Sequence, residues 1–158
     1  VSGMLMPYGG TSEPTGWLFC YGQAVSRTTY AALFTALGTT YGTGDGSTTF
    51  NLPDLRGRVI AGKDDMGTTS ADRLTNQTGG LDGDTLGATG GAETHTLLEA
   101  ELPSHTHSVP QGGAGASNYA LGGPAGSFSA AQTTGSVGSD TPHNNVQPTI
   151  VLNYIIKT

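Results

Sequence analysis

The segment "SRTTYAALFTALGTTYGTGDGSTTFNLPDLRGRVIAG" (residues 26–62) carries the strongest local structural signals in the chain. Its apolar residues recur at the i, i+3, i+4 and i+7 spacing of one helix face, namely Tyr30, Leu33, Phe34 and Leu37. Ser26 is a favourable N-cap, and Gly38 is a natural C-terminal stop. The pattern therefore predicts a helix between Ser26 and Gly38, with its apolar stripe facing a core.

The second half of this segment predicts a glycine-rich turn followed by extended chain. Asp45 lies between glycines in GTGDGSTT (42–49), where glycine supplies positive φ at no steric cost. A phosphate-binding loop would need a lysine and a following helix, whereas the next residues, FNLPDLRG, read as extended. The aspartates of this region also lack EF-hand spacing. We therefore interpret the turn as structural, followed by extended chain around Phe50 and Leu52 and a strand in RVIAG (58–62).

The residues before this segment predict two further strands. GMLMPYGG (3–10) reads as a short strand that ends in a turn at Pro7 and the two glycines. GWLFCYGQAV (16–25) is aromatic and apolar between glycines, which favours a strand. Cys20 is the only cysteine, so no intrachain disulfide can form. Its aromatic neighbours indicate a small buried hydrophobe rather than a nucleophile.

The composition restricts the classes of function. Glycine makes up 26 of 158 residues and charged residues only 11%, against a typical charged share of ~25%. Such a chain can bury a core over only part of its length. The remaining residues must be stabilised by backbone hydrogen bonds or by contacts with other chains. A net charge of −6 without a basic cluster argues against nucleic acid and anionic membranes. We expect no signal peptide or transmembrane helix, and the opening VSG is typical of a fragment of a longer protein.

After residue 63 the chain changes character. Residues 64–94 are rich in Gly, Thr and Asp, and TLLEAELPSH (96–105) predicts a single helical turn before Pro103. Residues 108–141 contain mostly small residues, whereas NNVQPTIVLNYIIKT (144–158) ends in a strongly apolar, β-branched run. A disordered tail seldom ends in residues that must be buried. We therefore expect an extended excursion that returns, with the last strand pairing near the N-terminal half.

Three motifs resemble the phage tail collar domain over residues 7–62. They are P-x-G followed by P-x-G-W-x-x-C-x-G, then S-R-x-x-Y-x-x-L-F, then Y-G-x-G-D-G-x-T-T-F-x-L-P-D-L-R-G-R. The terminal NNVQPTIVLNYIIK is similar to the closing segment of the same family. That family includes short tail fibres and long tail fibre tips of T-even-like phages, and bacterial proteins of the microcystin-dependent type.

The resemblance implies a homotrimeric receptor-binding tip in the virion tail fibre, with other tail-fibre or baseplate proteins as partners. The expected fold is mostly β with one short helix: a small α+β collar domain, then an extended, intertwined trimeric β region ending in a buried C-terminal strand. We divide the chain into a collar (1–63), a polar connector (64–107), a Gly-rich projecting tip (108–142) and a returning strand (143–158). In the collar fold, Asp54 is expected to pair with Arg56 or Arg58.

The H-x-H motif of ELPSHTHSVP (101–110) is the candidate metal site. Two imidazoles from one chain cannot complete a closed four-ligand site. In fibre relatives, H-x-H motifs of three chains meet on the threefold axis and bind a metal through six imidazoles, and His105 and His107 match that motif. Residues i and i+2 of an extended strand face the same side, so both rings can face an axis. Six imidazoles favour one Fe(II), Ni(II) or Zn(II) per trimer.

The other two histidines carry weaker signals. His95 has no near partner in the sequence, so we interpret it as a surface residue. His143, in TPHNN, is interpreted as a loop residue, with a second-shell role at the metal as the alternative.

No catalytic motif is found in the sequence. It has no G-x-S-x-G, no H-E-x-x-H and no Cys/His pair at informative spacing. Two of Glu93, Glu99 and Glu101 could in principle form a glycosidase carboxylate pair. Gly-rich loops give two carboxylates little rigid support, and the β-helix repeat of a tailspike depolymerase is absent. We therefore predict that the protein is not an enzyme.

The functional hypothesis is attachment to a bacterial surface receptor, either lipopolysaccharide or an outer-membrane protein. Folding explains the collar sequence but not residues 108–141, so this stretch is the candidate recognition region. Asn118, Tyr119 and Phe128 are the candidate receptor-binding residues, because loops on a scaffold carry function. The two aromatics can instead anchor to a neighbouring chain. The alternatives for the whole protein are a purely structural trimerisation cap and a bacterial collar-domain protein outside a virion.

Overall fold

The computed structural model describes residues 1–77, 80–105 and 138–158. The chain divides into two compact units, of which the first combines Val1–Glu93 with Val146–Thr158. The second unit is Thr94–Asn145. The first unit is therefore built from both ends of the chain, as the returning apolar run predicted.

A three-stranded antiparallel sheet joins the two ends of the chain in the first unit. Its strands are β1 (Leu5–Tyr8), β2 (Trp17–Phe19) and β7 (Asn153–Lys157), in the order β1-β7-β2. Ile156 of β7 lies opposite both Leu5 and Leu18. This confirms that the terminal strand pairs with the N-terminal part. Pro7 does not end β1, because proline is tolerated in an edge strand.

The predicted helix is present but begins later than expected. Helix α1 spans Ala31–Leu37, and Tyr30 rather than Ser26 is its N-cap. Ser26 instead ends the third strand, β3 (Ala24–Ser26), and its carbonyl accepts the Tyr30 N–H at 3.1 Å. Ser26 is therefore not the N-cap of Ala31–Leu37, but its hydroxyl accepts the Thr29 N–H at 3.2 Å and so caps the turn that leads into the helix. Gly38 at φ +58° ends the helix, as predicted.

A second sheet pairs β3 with the fourth strand, β4 (Thr49–Asn51), with Val25 opposite Phe50. The segment GWLFCYGQAV is thus divided between β2 and β3, and Gly22 at φ +80° lies in the break. The strand predicted in RVIAG (58–62) does not form, and Val59 is 72% exposed. A β-strand needs backbone hydrogen bonds to a neighbouring strand, and an apolar sequence pattern does not ensure that such a neighbour is present.

The core of the first unit lies between the helix and both sheets. Its buried residues are Cys20, Leu33, Phe50, Leu52, Ile155 and Ile156. Phe34 of the helix contacts Phe50 of β4, with ring centroids 5.1 Å apart. The helix stripe predicted from the sequence therefore faces the core, and the collar half is a small α+β domain.

The second unit contains three short elements among its described residues. They are β5 (Thr94–His95), a 3-10 turn at Glu99–Glu101, and β6 (His143–Asn144). The turn confirms the single helical turn predicted before Pro103. Across the described ranges 1–77, 80–105 and 138–158, no helix is long and apolar enough to cross a membrane.

The glycine-rich turn is organised around the Asp45 carboxylate. Its Oδ1 accepts the N–H groups of Ser47, Thr48 and Thr49 at 3.0, 2.7 and 2.9 Å, and its Oδ2 accepts the Thr48 hydroxyl. Gly44 and Gly46 have φ of +61° and +85°. The structural interpretation of this turn is therefore confirmed.

Asp45→Asn is expected to destabilise the first unit at neutral pH and to remove part of its acid sensitivity. Hydrogen bonds from Thr48, Ser47 and Thr49 lower the pKa of Asp45 below its ordinary value of 3.8. A lowered folded-state pKa gives stability that is present above that ordinary value and lost as pH falls through the folded pKa. Thermal melts of both proteins from pH 7 to pH 2 measure this. Melting temperatures that differ equally at every pH contradict it.

Candidate functional site

His105 of the predicted metal motif lies in exposed extended chain after the 3-10 turn. Its Nδ1 donates a hydrogen bond to the Pro103 carbonyl, with the two atoms 3.1 Å apart. The second histidine of the motif, His107, lies outside the described residues. The structure therefore gives the surroundings of one of the two predicted ligands.

The Pro103 contact suits a metal-binding role for His105. A carbonyl that accepts from Nδ1–H selects the tautomer with its lone pair on Nε2, as metal-bound imidazoles commonly require. Within the described part of one chain, no group of three or more His, Cys, Asp or Glu side chains could hold a metal ion. A metal at His105 thus needs ligands from His107 or from other chains.

The structure brings together two histidines that the sequence kept apart. His95 in β5 lies opposite His143 in β6, with ring centroids 5.8 Å apart and ring planes at 89°. His95 Nε2 also lies 2.7 Å from Oε2 of Glu101. The interpretation of His95 as a residue without a near partner was wrong, and His143 is in a strand rather than a loop. We name His95, Glu101 and His143 the histidine cluster.

Glu101 is the fixed centre of the histidine cluster. Its Oε2 accepts the Leu98 N–H at 2.7 Å as well as the His95 contact. The Leu98 N–H and then His95 lower the pKa of Glu101 below its ordinary range. The carboxylate therefore stays charged at neutral pH, where it can hold a protonated imidazole. The cluster was missed because no local sequence pattern reveals the pairing of β5 with β6.

The predicted ion pair of the collar half is present. Arg56 donates from Nε and a terminal nitrogen to the two Asp54 oxygens, at 2.8 and 2.7 Å. Hydrogen bonds from Arg56 lower the pKa of Asp54 to about 2. The pair is solvent-exposed, so it contributes little to stability. Arg56 also lines an open cavity of about 270 Å³ with Tyr21, Val151 and Tyr154.

Two of the candidate catalytic residues, Cys20 and Glu101, have structural roles. Cys20 is buried, and burial raises the pKa of its thiol to about 12. The thiol therefore stays protonated and behaves as a small hydrophobe. Glu101 is held by His95 and Leu98, as described above. The candidate receptor residues Asn118, Tyr119 and Phe128 lie outside the described residues.

An apolar run in the first unit is not covered by the residues that the structure describes. Ile150 is 80% exposed and Val151 is 92% exposed. They directly precede β7, in which Ile155 and Ile156 are buried. The predicted burial of the terminal run is therefore confirmed for β7, whereas the residues directly before it are exposed in the single chain.

Comparison with known proteins identifies the first part of the chain. Residues 3–60 match the family model of the phage tail collar domain, which confirms the resemblance drawn from the motifs. This domain belongs to a structural family of phage tails and indicates a phage tail fibre protein in the virion. A search of curated proteins gave no match.

Proposed function

With a collar domain at residues 3–60 as the premise, we propose that this chain is the receptor-binding tip of a trimeric phage tail fibre. The tip attaches the virion to a bacterial surface, either to lipopolysaccharide or to an outer-membrane protein. The observation that carries this proposal is the collar match. Two further observations support it. The exposed apolar residues Ile150 and Val151 are suited to contact with other chains. The segment 108–141 has a sequence that is not explained by the requirements of folding.

The apolar run before β7 supports association between chains. Full burial of an Ile or Val side chain stabilises a protein by ~1.5–3 kcal/mol. In a single chain, Ile150 and Val151 are exposed and do not contribute this stabilisation. Residues 64–141 are also poor in apolar side chains, whereas ordering each residue costs ~1–2 kcal/mol for the backbone alone. Burial between three copies supplies the missing stabilisation.

Val151→Asp is expected to weaken the trimer, because a carboxylate in an apolar interface loses its hydration without gaining a partner. Light scattering at micromolar concentration measures the mass of the variant and of the wild type. Val1→Asp is the matched control, since Val1 is 97% exposed and not part of the run. A wild-type protein that is a folded monomer at this concentration contradicts the proposal.

The H-x-H motif fits the same assembly. Three copies of His105 and His107 around one axis supply about six imidazole nitrogens, which is an octahedral set for Fe(II) or Zn(II). The Nδ1–H bond from His105 to Pro103 is compatible with ligation through Nε2. We propose one such ion per trimer, which ties the three chains together at the start of the Gly-rich segment.

We assign receptor recognition to the segment 108–142. The collar sequence is accounted for by its buried core, including Leu33 and Phe50, and by its turn at Asp45. Residues 108–141 contain few large apolar side chains that could form a core. Their sequence is therefore better explained by binding than by folding. Within this segment, Asn118, Tyr119 and Phe128 offer the polar and aromatic groups that sugars or protein loops contact.

Exchange of residues 109–141 for the equivalent stretch of a relative is expected to change which cells the protein binds and to leave the trimer intact. Binding of the purified chimera and of the wild type to both hosts measures this, and light scattering checks assembly. A chimera that binds the original host with unchanged affinity places recognition elsewhere. A wild type that binds no host cell at all favours a structural cap.

A further inference from the structure

The pairing of β5 with β6 is short and depends on side chains. Each strand has two residues, and the register places Thr94 opposite Asn144 and His95 opposite His143. A two-stranded ladder is at best marginally stable by itself in water. Contacts between the side chains therefore contribute a large part of what holds the two strands together.

The histidine cluster supplies these contacts when its imidazoles are neutral. The His95 ring donates from Nε2 to Glu101, and the His143 ring meets the His95 ring edge to face at 5.8 Å. An edge-to-face arrangement of two aromatic rings is favourable. The second histidine thus packs directly on the first, across the two strands.

Positive charge has different effects at the two histidines. A charged His95 ring faces the Glu101 carboxylate, and a charged donor strengthens that hydrogen bond. When the His143 ring is charged as well, two like charges lie directly opposite each other, which destabilises a strand pair. In the described part of this unit, the titratable side chains are His95, Glu99, Glu101, His105, Asp140 and His143. Glu101 is the carboxylate that contacts His95, so one negative charge lies beside two positive ones.

We propose that the His95–His143 pair is a proton-sensitive clasp, which holds β5 on β6 until both imidazoles are charged. Histidine is the side chain whose charge changes between pH 5 and 8. In the sequence, β5 precedes and β6 follows the Gly-rich segment 108–142. Mild acid uncouples the two strands. The inference goes beyond the proposed function and does not require it, because it concerns the protein alone.

Hydrogen exchange measured by mass spectrometry tests the clasp on the whole chain. Exchange is followed at pH 7.5 and pH 5.0, in chelator-treated protein, and corrected for the intrinsic pH dependence of amide exchange. Peptides that cover β5 and β6 are expected to lose protection about two- to fivefold at the lower pH, the size expected for one like-charge cross-strand pair. Peptides that cover β7 are the internal reference. Unchanged protection of β5 and β6 overturns the proposal.

Three variants separate the clasp from other acid effects. His143→Gln cannot become charged, so its protection at β6 is expected not to change between the two pH values. Glu101→Gln removes the neutralising carboxylate, so its loss of protection is expected to begin at a higher pH than in the wild type. Glu99→Gln, on the same 3-10 turn, is the matched control and is expected to behave as the wild type. A wild-type response that both His143→Gln and Glu101→Gln retain unchanged overturns the proposal.

Discussion

Replacement of both His105 and His107 by alanine is expected to abolish binding of the proposed metal ion and to lower the melting temperature of the proposed trimer. An ion that binds only the folded assembly stabilises it by mass action, by about 4 kcal/mol when its free concentration is 1,000 times the Kd. Elemental analysis gives the metal content, and calorimetry at fixed protomer concentration gives the stability. Because protons compete for imidazole, metal release from the wild type is also expected below pH ~6.

A double variant at the flanking residues, Ser104→Ala with Thr106→Ala, is the matched control for the metal prediction. It changes the same stretch of chain and leaves both imidazoles in place, so it is expected to retain the ion. Wild-type protein that was purified without chelator and contains far less than one transition metal per three chains contradicts the site. If the double histidine variant retains the metal, then residues other than His105 and His107 bind it.

Phe50→Ala is expected to be the most destabilising single substitution in the collar half. Phe50 is fully buried, lies opposite Val25 and contacts the ring of Phe34. Truncation of a buried Phe costs ~3–5 kcal/mol, because it removes apolar contacts and leaves a cavity. For a chain of this length, that corresponds to a fall in melting temperature on the order of 10 °C. Urea unfolding at fixed protomer concentration measures the loss.

Met66→Ala is the control for the core prediction, since Met66 is 72% exposed in the same unit. An exposed substitution is expected to change the free energy of unfolding by no more than ~0.5 kcal/mol. A loss of less than about 1 kcal/mol in Phe50→Ala would show that the core rearranges to fill the space. Equal losses in both variants would place the main stabilising contacts of this unit elsewhere.

Local patterns in the sequence predicted much of the collar half. The i, i+3, i+4, i+7 stripe predicted the helix face, and Gly38 predicted the helix end, because both signals depend on neighbouring residues alone. The glycines around Asp45 predicted the turn for the same reason. Ser26 accepts the Thr29 N–H as a cap would, but it is not the N-cap of Ala31–Leu37, since a β-ladder with Thr49 competes for that residue. That competitor lies 23 positions further along the chain (49 − 26), where a local pattern cannot detect it.

By itself, the sequence determined the collar motifs, the helix, the structural turn, the burial of Cys20 and the return of the last strand to the N-terminal sheet. Each of these follows from side-chain size, periodicity or backbone preference within a short window. Only the tertiary structure decided that Ile150 and Val151 are uncovered and that His95, Glu101 and His143 form a cluster. Exposure and strand register depend on parts of the chain that are distant in sequence. The fold brings these parts together, and the resulting neighbours decide whether a side chain is buried and which charges it meets.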